Sequence, residues 1–296
     1  GFSGLEAYVC CDGKTVPVGV DCENGNLTVF DSISKGMDYW GIVASAVVPS
    51  GGVKTVRFSI SSAKTDFSEI NSCEEFEKTV SYYSRLSKIT FDGEHGRLTE
   101  WLPYQVYNSR FAARTGFYQV SGAYGFRDQL QDGLALVHCV PALVREHILR
   151  CARHQFKEGD VQHWWHPPAI GVRTHMCDDR LWLVYVVCEY IAVTGDAAVL
   201  DESVPFLSDV PISPQDASVY SSANESGVRA SLLEHCLRAI KISCDFGENG
   251  LVRMRGGDWN DAMDKVGEKG IGTTVWCTMF LYHVIERFLP YVKDIE

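Results

Sequence analysis

The sequence predicts a mainly α protein: a toroid of helices whose loops carry the chemistry on one rim, preceded by a short antiparallel β region and a helical linker. Three observations predict it. Alternation of period two is confined to the stretch ending at Ile60, where Gly, Asn and Ser bound each burst. After Trp101 the strand signals stop, and almost every segment has a helical period with helix-end residues at its limits. The loops between those helices are dense in Gly, His, Trp and Asp, and loops on a rigid scaffold are where function concentrates. The composition agrees: 296 residues, 46% hydrophobic and 22% charged, suit a folded chain with a large core and exclude intrinsic disorder or a collagen-like repeat.

Element by element, Thr15 to Val20, Leu27 to Phe30 and Val53 to Ile60 read as antiparallel strands. A charged, weakly amphipathic stretch from Ser72 to about Leu98 reads as a linking helix. Gln129 to Val140 then places Leu130, Leu134, Val137 and either His138 or Val140 on one side, and Pro141 interrupts it. The apolar run from Leu181 has Asp178 and Asp179 before it and Gly195 behind it, the expected caps of a helix. Ser231 to Ile242 and Thr273 to Phe288 read as two further helices.

A formal net charge of −11 with no basic patch excludes nucleic acid and anionic lipid as partners. The longest apolar stretches fall short of the roughly 20 residues a membrane span needs. Eleven cysteines, scattered and without a CxxC pair, include Cys139, Cys188, Cys236 and Cys277 in apolar helical runs, where a thiol behaves as a small hydrophobe. With no basic and apolar leader at its start, the chain is expected in the reducing cytoplasm.

Three loops carry residues that sugar chemistry uses, because sugar C–H faces pack on aromatic rings while hydroxyls need polar partners. The first, Ser121 to Asp132, sets Arg127 and Asp128 at a helix start behind Gly122 and Gly125; the alternative is an Asp N-cap beside a surface ion pair. The second runs from Gln162 through His163-Trp164-Trp165-His166 to Arg173-Thr174-His175 and Asp178-Asp179. Adjacent tryptophans cannot both face one core, so one is expected to be exposed or to line a pocket. A zinc site at His163 and His166 competes, but it lacks a third ligand at typical spacing. His138, His147, His235 and His283 read as structural helix residues. In the third loop, Arg253 to Asp264, Asp258 and Asp261 flank Trp259-Asn260. A carboxyl against an indole in a partly dry pocket keeps its proton near neutrality and can act as a general acid. The alternative is an Asx-turn or N-cap, with Asp258 as the capper.

Trp101-Leu102-Pro103-Tyr104-Gln105, Arg114 to Gln119, Gly122 to Asp132, His163 to Pro167, Arg173-Thr174-His175, Asp178-Asp179 and Gly257 to Asp261 together resemble glycoside hydrolase family 94, in the family's order. That family contains inverting phosphorylases of cellobiose, chitobiose, laminaribiose and β-1,2-oligoglucans, and the phosphorylase-like module of cyclic β-1,2-glucan synthases. The resemblance implies the tail of a β-sandwich over 1–64, a helical linker over 65–100 and an incomplete (α/α)6-barrel catalytic domain over 101–296. It maps the general acid onto Asp261 and donor-sugar contacts onto Asp128, Trp259 and Arg114, with Arg127, Trp164, His175 and Asp178 as further binding residues. An additional donor-site arginine of the disaccharide phosphorylases has no counterpart here, where the loop reads Gly122-Ala123-Tyr124. That departure looks more like the β-1,2-glucan branch. The family's phosphate-binding residues lie in the later part of its barrel, beyond the segment matched here.

The expected reaction is phosphorolysis of a β-linked gluco-oligosaccharide to α-glucose 1-phosphate, with inorganic phosphate as co-substrate and no metal or organic cofactor. An inverting hydrolase needs a second carboxylate some 6.5–9.5 Å away to activate water, whereas phosphate is already anionic and needs no base. The resemblance also implies a homodimer. The rivals are an inverting hydrolase using Asp132, Asp178, Asp179 or Glu268 as base, and a non-catalytic carbohydrate-binding fragment.

Overall fold

A computed structural model of the chain describes residues 122–292 continuously, residues 71–86 and 96–115, and five strands between Tyr8 and Ser61. Two compact units emerge, Gly1–Ser81 and Tyr82–Glu296. In the first, β1 (Tyr8–Cys11) pairs antiparallel with β2 (Lys14–Pro17) and β5 (Phe58–Ser61), while β3 (Leu27–Ser34) pairs with β4 (Met37–Ala44) in register Leu27 to Ala44. Three of these strands, β2, β3 and β5, overlap the stretches that alternation marked and run past them by one to four residues; Val18 to Val20 and Val53 to Arg57 lie outside the described residues. The linker stretch holds α1 (Ser72–Leu86), and α2 (Gly96–Thr115) begins before Trp101 and runs through it.

In the second unit β6 (Tyr124–Gly125) feeds α3 (Phe126–Leu134), followed by α4 (Pro141–Ala152), β7 (Gln162–His166), β8 (Ile170–Thr174) and α5 (Asp179–Thr194). Then come β9 (Ser203–Ser208), β10 (Ser218–Ser222), β11 (Asn224–Ser231) and α6 (Leu232–Ser243). Last are β12 (Val252–Arg253), α7 (Asp264–Gly267), β13 (Thr273–Thr274) and α8 (Val275–Phe288). The unit is built around α5, against which α3, α4, α6 and α8 all pack. Its Leu181, Leu183, Val184, Val186, Val187 and Cys188 are all buried. A helix apolar on every side must be enclosed on every side. Each such aliphatic side chain contributes roughly 1.5–3 kcal/mol, which outweighs the modest helix propensity of the valines. Gly195 closes α5 by donating its N–H to the Ile191 carbonyl at 2.8 Å. The Ser231 Oγ accepts the Glu234 N–H at the start of α6, and the Thr274 Oγ1 accepts the Cys277 N–H at the start of α8.

Three expectations need correction. The strand signals do not stop at Trp101: β6, β7, β8 and β10 form an antiparallel sheet in the order β10-β8-β7-β6, with the pairs β9–β11 and β12–β13 beside it. Gln162 to His166 and Ile170 to Thr174 read as loops because His, Trp and Gly obscure the alternation, yet cross-strand packing makes them strands. The helix expected over Gln129 to Val140 is α3, which starts three residues earlier and ends at Leu134, after Gly133; Pro141 then opens α4 instead of closing α3, because proline suits the first helical position. Asp178 precedes α5 without a side-chain capping bond, its carboxylate turned elsewhere. Among the described residues no helix is long and apolar enough to cross a membrane.

Candidate active site

Three segments entering or approaching helices meet at one place. Gly125 delivers Arg127 and Asp128 in the first turn of α3, and the end of β8 delivers Asp178 and Asp179 to α5. The loop between β12 and β13 delivers Asp258 to Asp261. Main-chain bonds lock the last two together: the Cys177 N–H donates to Gly257 O at 3.0 Å and the Gly256 N–H to His175 O at 3.1 Å. Gly257 sits at φ 142°, and a Cβ there would lie 2.9 Å from the Met176 sulfur, so the approach needs glycine.

The buried guanidinium of Arg127 is the hub. Its Nη2 donates to Asp261 Oδ1 at 2.5 Å and its Nη1 to the Asp258 carbonyl at 3.3 Å. Asp178 Oδ1 lies 3.5 Å and Asp179 Oδ1 3.8 Å from Nη1, and Asp128 Oδ1 lies 3.8 Å from Nε. On the other side of Asp179, Oδ2 stands 2.8 Å from His163 Nδ1, on a bulge of β7. Asp258 faces inward instead: its Oδ1 accepts the Asn260 N–H at 3.0 Å as an Asx-turn, and its Oδ2 accepts the Thr274 hydroxyl at 2.6 Å, tying the loop to the start of α8. Asn260 caps the following short turn through Ala262.

Four carboxylates thus surround one guanidinium and one imidazole. Burial works against the Arg127 charge, but Asp178, Asp179 and Asp261 outweigh it and hold the guanidinium cationic. Burial, and then the Asp179 carboxylate, push Asp178 up to about 7. Burial also raises Asp128. For His163 burial opposes the charged form, yet Asp179 prevails and the ring is shifted upward. The Oδ1 atoms of Asp178 and Asp179 are buried with no hydrogen-bond partner, leaving acceptor capacity aimed into the cluster.

Asp261, Asp128, Arg127 and Asp178 are therefore brought together, while the alternative of an Arg127 surface ion pair fails because the guanidinium is buried. Trp259 stands at the edge, half-exposed, with its Nε1 donating to Gln131 of α3 at 3.4 Å and Trp276 at 6.4 Å. The expected dry pocket for the acid is not there: the Asp261 side chain is 69% exposed and its nearest partner is a guanidinium, because residue 261 opens a surface turn. Trp164 lies against His166 and Tyr220, with no contact to the carboxylates of the cluster among the described residues, whereas Trp165 is buried and stacks on His154 at 3.7 Å. The main chain of His175 helps lock the segments together, but its side chain turns to the Ser213 carbonyl, 3.1 Å from Nε2. Arg173 is structural, bound by Asp160 and Glu158 over the Phe156 ring. The side chain of Arg114 lies outside the described residues. Of the candidate bases, Asp179 is in the cluster, Asp132 lies on α3, and Glu268 is exposed near Lys265. His147 and His235 are buried structural residues, His283 lies on α8, and His138 sits in the exposed turn after α3 instead of on a helix. The Asp179–His163 pair escaped sequence reasoning; the signal was an acidic doublet in which one member could not cap. Among the described residues no group of three His, Cys, Asp or Glu is placed to hold a metal ion.

A carboxylate cluster gripped by arginine beside exposed indoles, on the loop side of a mainly α unit, is a setting for glycoside chemistry. The chain belongs to the glycosyl hydrolase 94 superfamily, whose catalytic-domain model matches residues 89–295. It is 46% identical over 198 residues to the cyclic β-(1,2)-glucan synthase NdvB of Rhizobium meliloti (strain 1021), covering 66% of this chain and 7% of that protein. It is 32% identical over 173 residues to the solabiose phosphorylase of Paenibacillus borealis, covering 58% and 20%. To the 1,2-β-oligoglucan phosphorylase of Listeria innocua serovar 6a it is 26% identical over 210 residues, covering 66% and 18%. The chain spans a fifth or less of the length of each of these relatives. The family is one of glycoside phosphorylases, with a catalytic domain of the (α/α)6 type.

Proposed function

We propose that this chain carries the donor-sugar side of an inverting glycoside phosphorylase that cleaves a β-linked gluco-oligosaccharide with inorganic phosphate, releasing α-glucose 1-phosphate. The observation that carries this reading is the double grip of Arg127 on the Asp258 carbonyl and the Asp261 carboxylate, which fixes Asp261 at the mouth of the cluster. Arg127 occupies Oδ1 and so turns the other oxygen of Asp261 toward an incoming glycosidic oxygen. Asp261 donates its proton there as the bond to the anomeric carbon breaks, while phosphate forms the new bond from the opposite face. A bound pyranose covers the exposed carboxyl and supplies the dry surroundings a general acid needs. Asp128 accepts from the sugar hydroxyls, with Trp259 beneath the ring.

Asp178 is fully buried with its Oδ2 accepting from Trp182 Nε1 at 3.1 Å, which keeps it from an incoming water, and Asp179 is committed to His163 and Arg127. Both points favour phosphate as nucleophile over activated water. The likeness to a cyclic β-(1,2)-glucan synthase and a 1,2-β-oligoglucan phosphorylase favours β-1,2-linked glucose as the substrate. On this reading α3 to α8 belong to an (α/α)6 barrel, β1 to β5 to the end of a β-sandwich, and the reaction runs in the cytoplasm. The test is to incubate the full-length parent with β-linked gluco-disaccharides, with and without phosphate. Phosphate-dependent α-glucose 1-phosphate, strongest with the β-1,2 disaccharide, is the expected product; free glucose formed equally without phosphate would reject phosphorolysis.

A further inference from the structure

The outer face of the four-stranded sheet has chemistry that the catalytic reading does not use. Pairing across three strands sets Trp164, Val172 and Tyr220 directly opposite one another, so their side chains stand in one row on one face. The Trp164 and Tyr220 rings lie 5.8 Å apart with their planes tilted by 45°. Tyr220 is 61% exposed, and Ile170 and Trp164 are partly exposed. Thr174 and Ser218 pair on one side of the row, and Ser222 opposes Ile170 on the other. The strand positions on this face, 164 and 166 on β7, 170, 172 and 174 on β8, and 218, 220 and 222 on β10, hold no Asp, Glu, Lys or Arg. That absence is notable in a chain with 27 basic and 38 acidic residues.

A partly exposed face of aromatic rings, one imidazole, aliphatic carbons and hydroxyls, with no carboxylate, ammonium or guanidinium, offers little to an anionic polymer or a lipid headgroup, and it suits a neutral ligand with apolar C–H faces and hydroxyl edges. The row also leads to the catalytic cluster. Gly125 pairs with Trp164 at its inner end, and two residues later the chain reaches Arg127. We propose that the Trp164–Tyr220 face is a platform for neutral glucan, holding sugar units of a long chain distant from the bond that is cut. The proposal rests on the catalytic reading for its choice of glucan. The tilt between the two rings suits consecutive sugars that turn relative to one another, as kinked β-1,2 linkages require. Trp164 thereby acts from outside the Asp261 cluster, and Tyr220 becomes the residue that distinguishes long substrates from disaccharides.

The experiment uses the full-length parent, wild type and with Tyr220→Ala or Tyr220→Trp. Native affinity electrophoresis in gels containing linear β-1,2-glucan needs no turnover. The expected result is that Tyr220→Ala weakens retardation about tenfold while Tyr220→Trp preserves it, the scale of one truncated aromatic anchor. In phosphorolysis, the ratio of kcat/KM for a long glucan to that for the disaccharide falls by about the same factor. Retardation of wild type and Tyr220→Ala to the same extent, or no retardation of wild type, overturns the platform. So does a lowered Tm in Tyr220→Ala with glucan binding intact, which would mean that another part of the protein covers this face. Wild type that binds glucan yet forms no α-glucose 1-phosphate would reject the catalytic reading and leave the platform standing.

Discussion

At the residue scale, Arg127 decides what the neighbouring carboxylates can do. It bonds to one oxygen of Asp261, so an asparagine at 261 keeps that bond while losing the transferable proton. Asp261→Asn in the full-length parent is expected to lower phosphorolysis roughly 10²–10⁴-fold with sugar affinity retained, which single-turnover assays and binding titration would separate. An unaffected rate would remove Asp261 from its role. Asp178 makes a second prediction. Its ordinary value of 3.8 rises to about 7 in the fold, so the folded chain holds a proton that the unfolded chain releases. Stability from this group is complete below about pH 4 and is lost as pH rises through 7. His163, raised above 6.5 beside Asp179, acts in the same sense at higher pH, whereas the depressed Asp196 matters only as pH falls below 3.8. Burial holds His154 and His235 down to about 4, which adds stability as pH rises from 4 to 6.5 and so opposes Asp178. The buried proton is therefore read from the difference between two thermal melt series, the Tm of Asp178→Asn gaining on that of the wild type from pH 4 to pH 8. Parallel curves for the two proteins would dismiss the buried proton.

At the element scale, the β7–β8 hairpin supplies His163 to the cluster and Trp164 to the row with Tyr220. Its closeness depends on Gly171. A Cβ there would fall 2.3 Å from the Trp164 carbonyl oxygen and 2.8 Å from the Trp165 Cα, and backbone atoms cannot swing aside as a flexible side chain would. Gly171→Ala should splay the pair and cost about 1–3 kcal/mol. Urea unfolding gives the cost, and near-UV circular dichroism reports the tryptophans. Unchanged values of both would show that the strands can separate freely.

At the scale of the whole molecule, α8 presents Val275, Met279 and Tyr282 to solvent, with Leu289 exposed just past its end and Trp276 partly exposed beside them. A contiguous apolar face of this kind favours association. The 296-residue chain by itself is expected to self-associate in light scattering after size exclusion, and Met279→Lys with Tyr282→Glu should return it toward a single monomer. A monodisperse wild-type chain would count against this. Charge counters this only weakly, because the repulsion from a net charge of −11 is screened except at low salt.

The residues of the site were legible before their arrangement was. Each pair stands at a turn entering or approaching a helix, where Gly, Asp and Asn leave local signatures: Gly125 before Arg127-Asp128, the Asp178-Asp179 doublet, and Gly257 before Asp258 to Asp261. Helix limits at Ser231 and Gly195, and the last helix start to within a residue of its cap at Thr274, were readable for the same reason, since a cap is a bond between near neighbours. What was misread depended on distant partners. The sheet strands depend on cross-strand pairing, the burial of Arg127 depends on α5 and the Asp258 loop closing over it, and Asp261 is bonded across 134 positions of sequence. The chain by itself determined which chemical groups are present and where helices begin and end, because those follow from backbone donors and acceptors within a turn of one another. Only tertiary structure decided which carboxylate is buried, which is exposed and which tryptophan faces outward, because desolvation and charge pairing act through space and are set by whatever packs alongside.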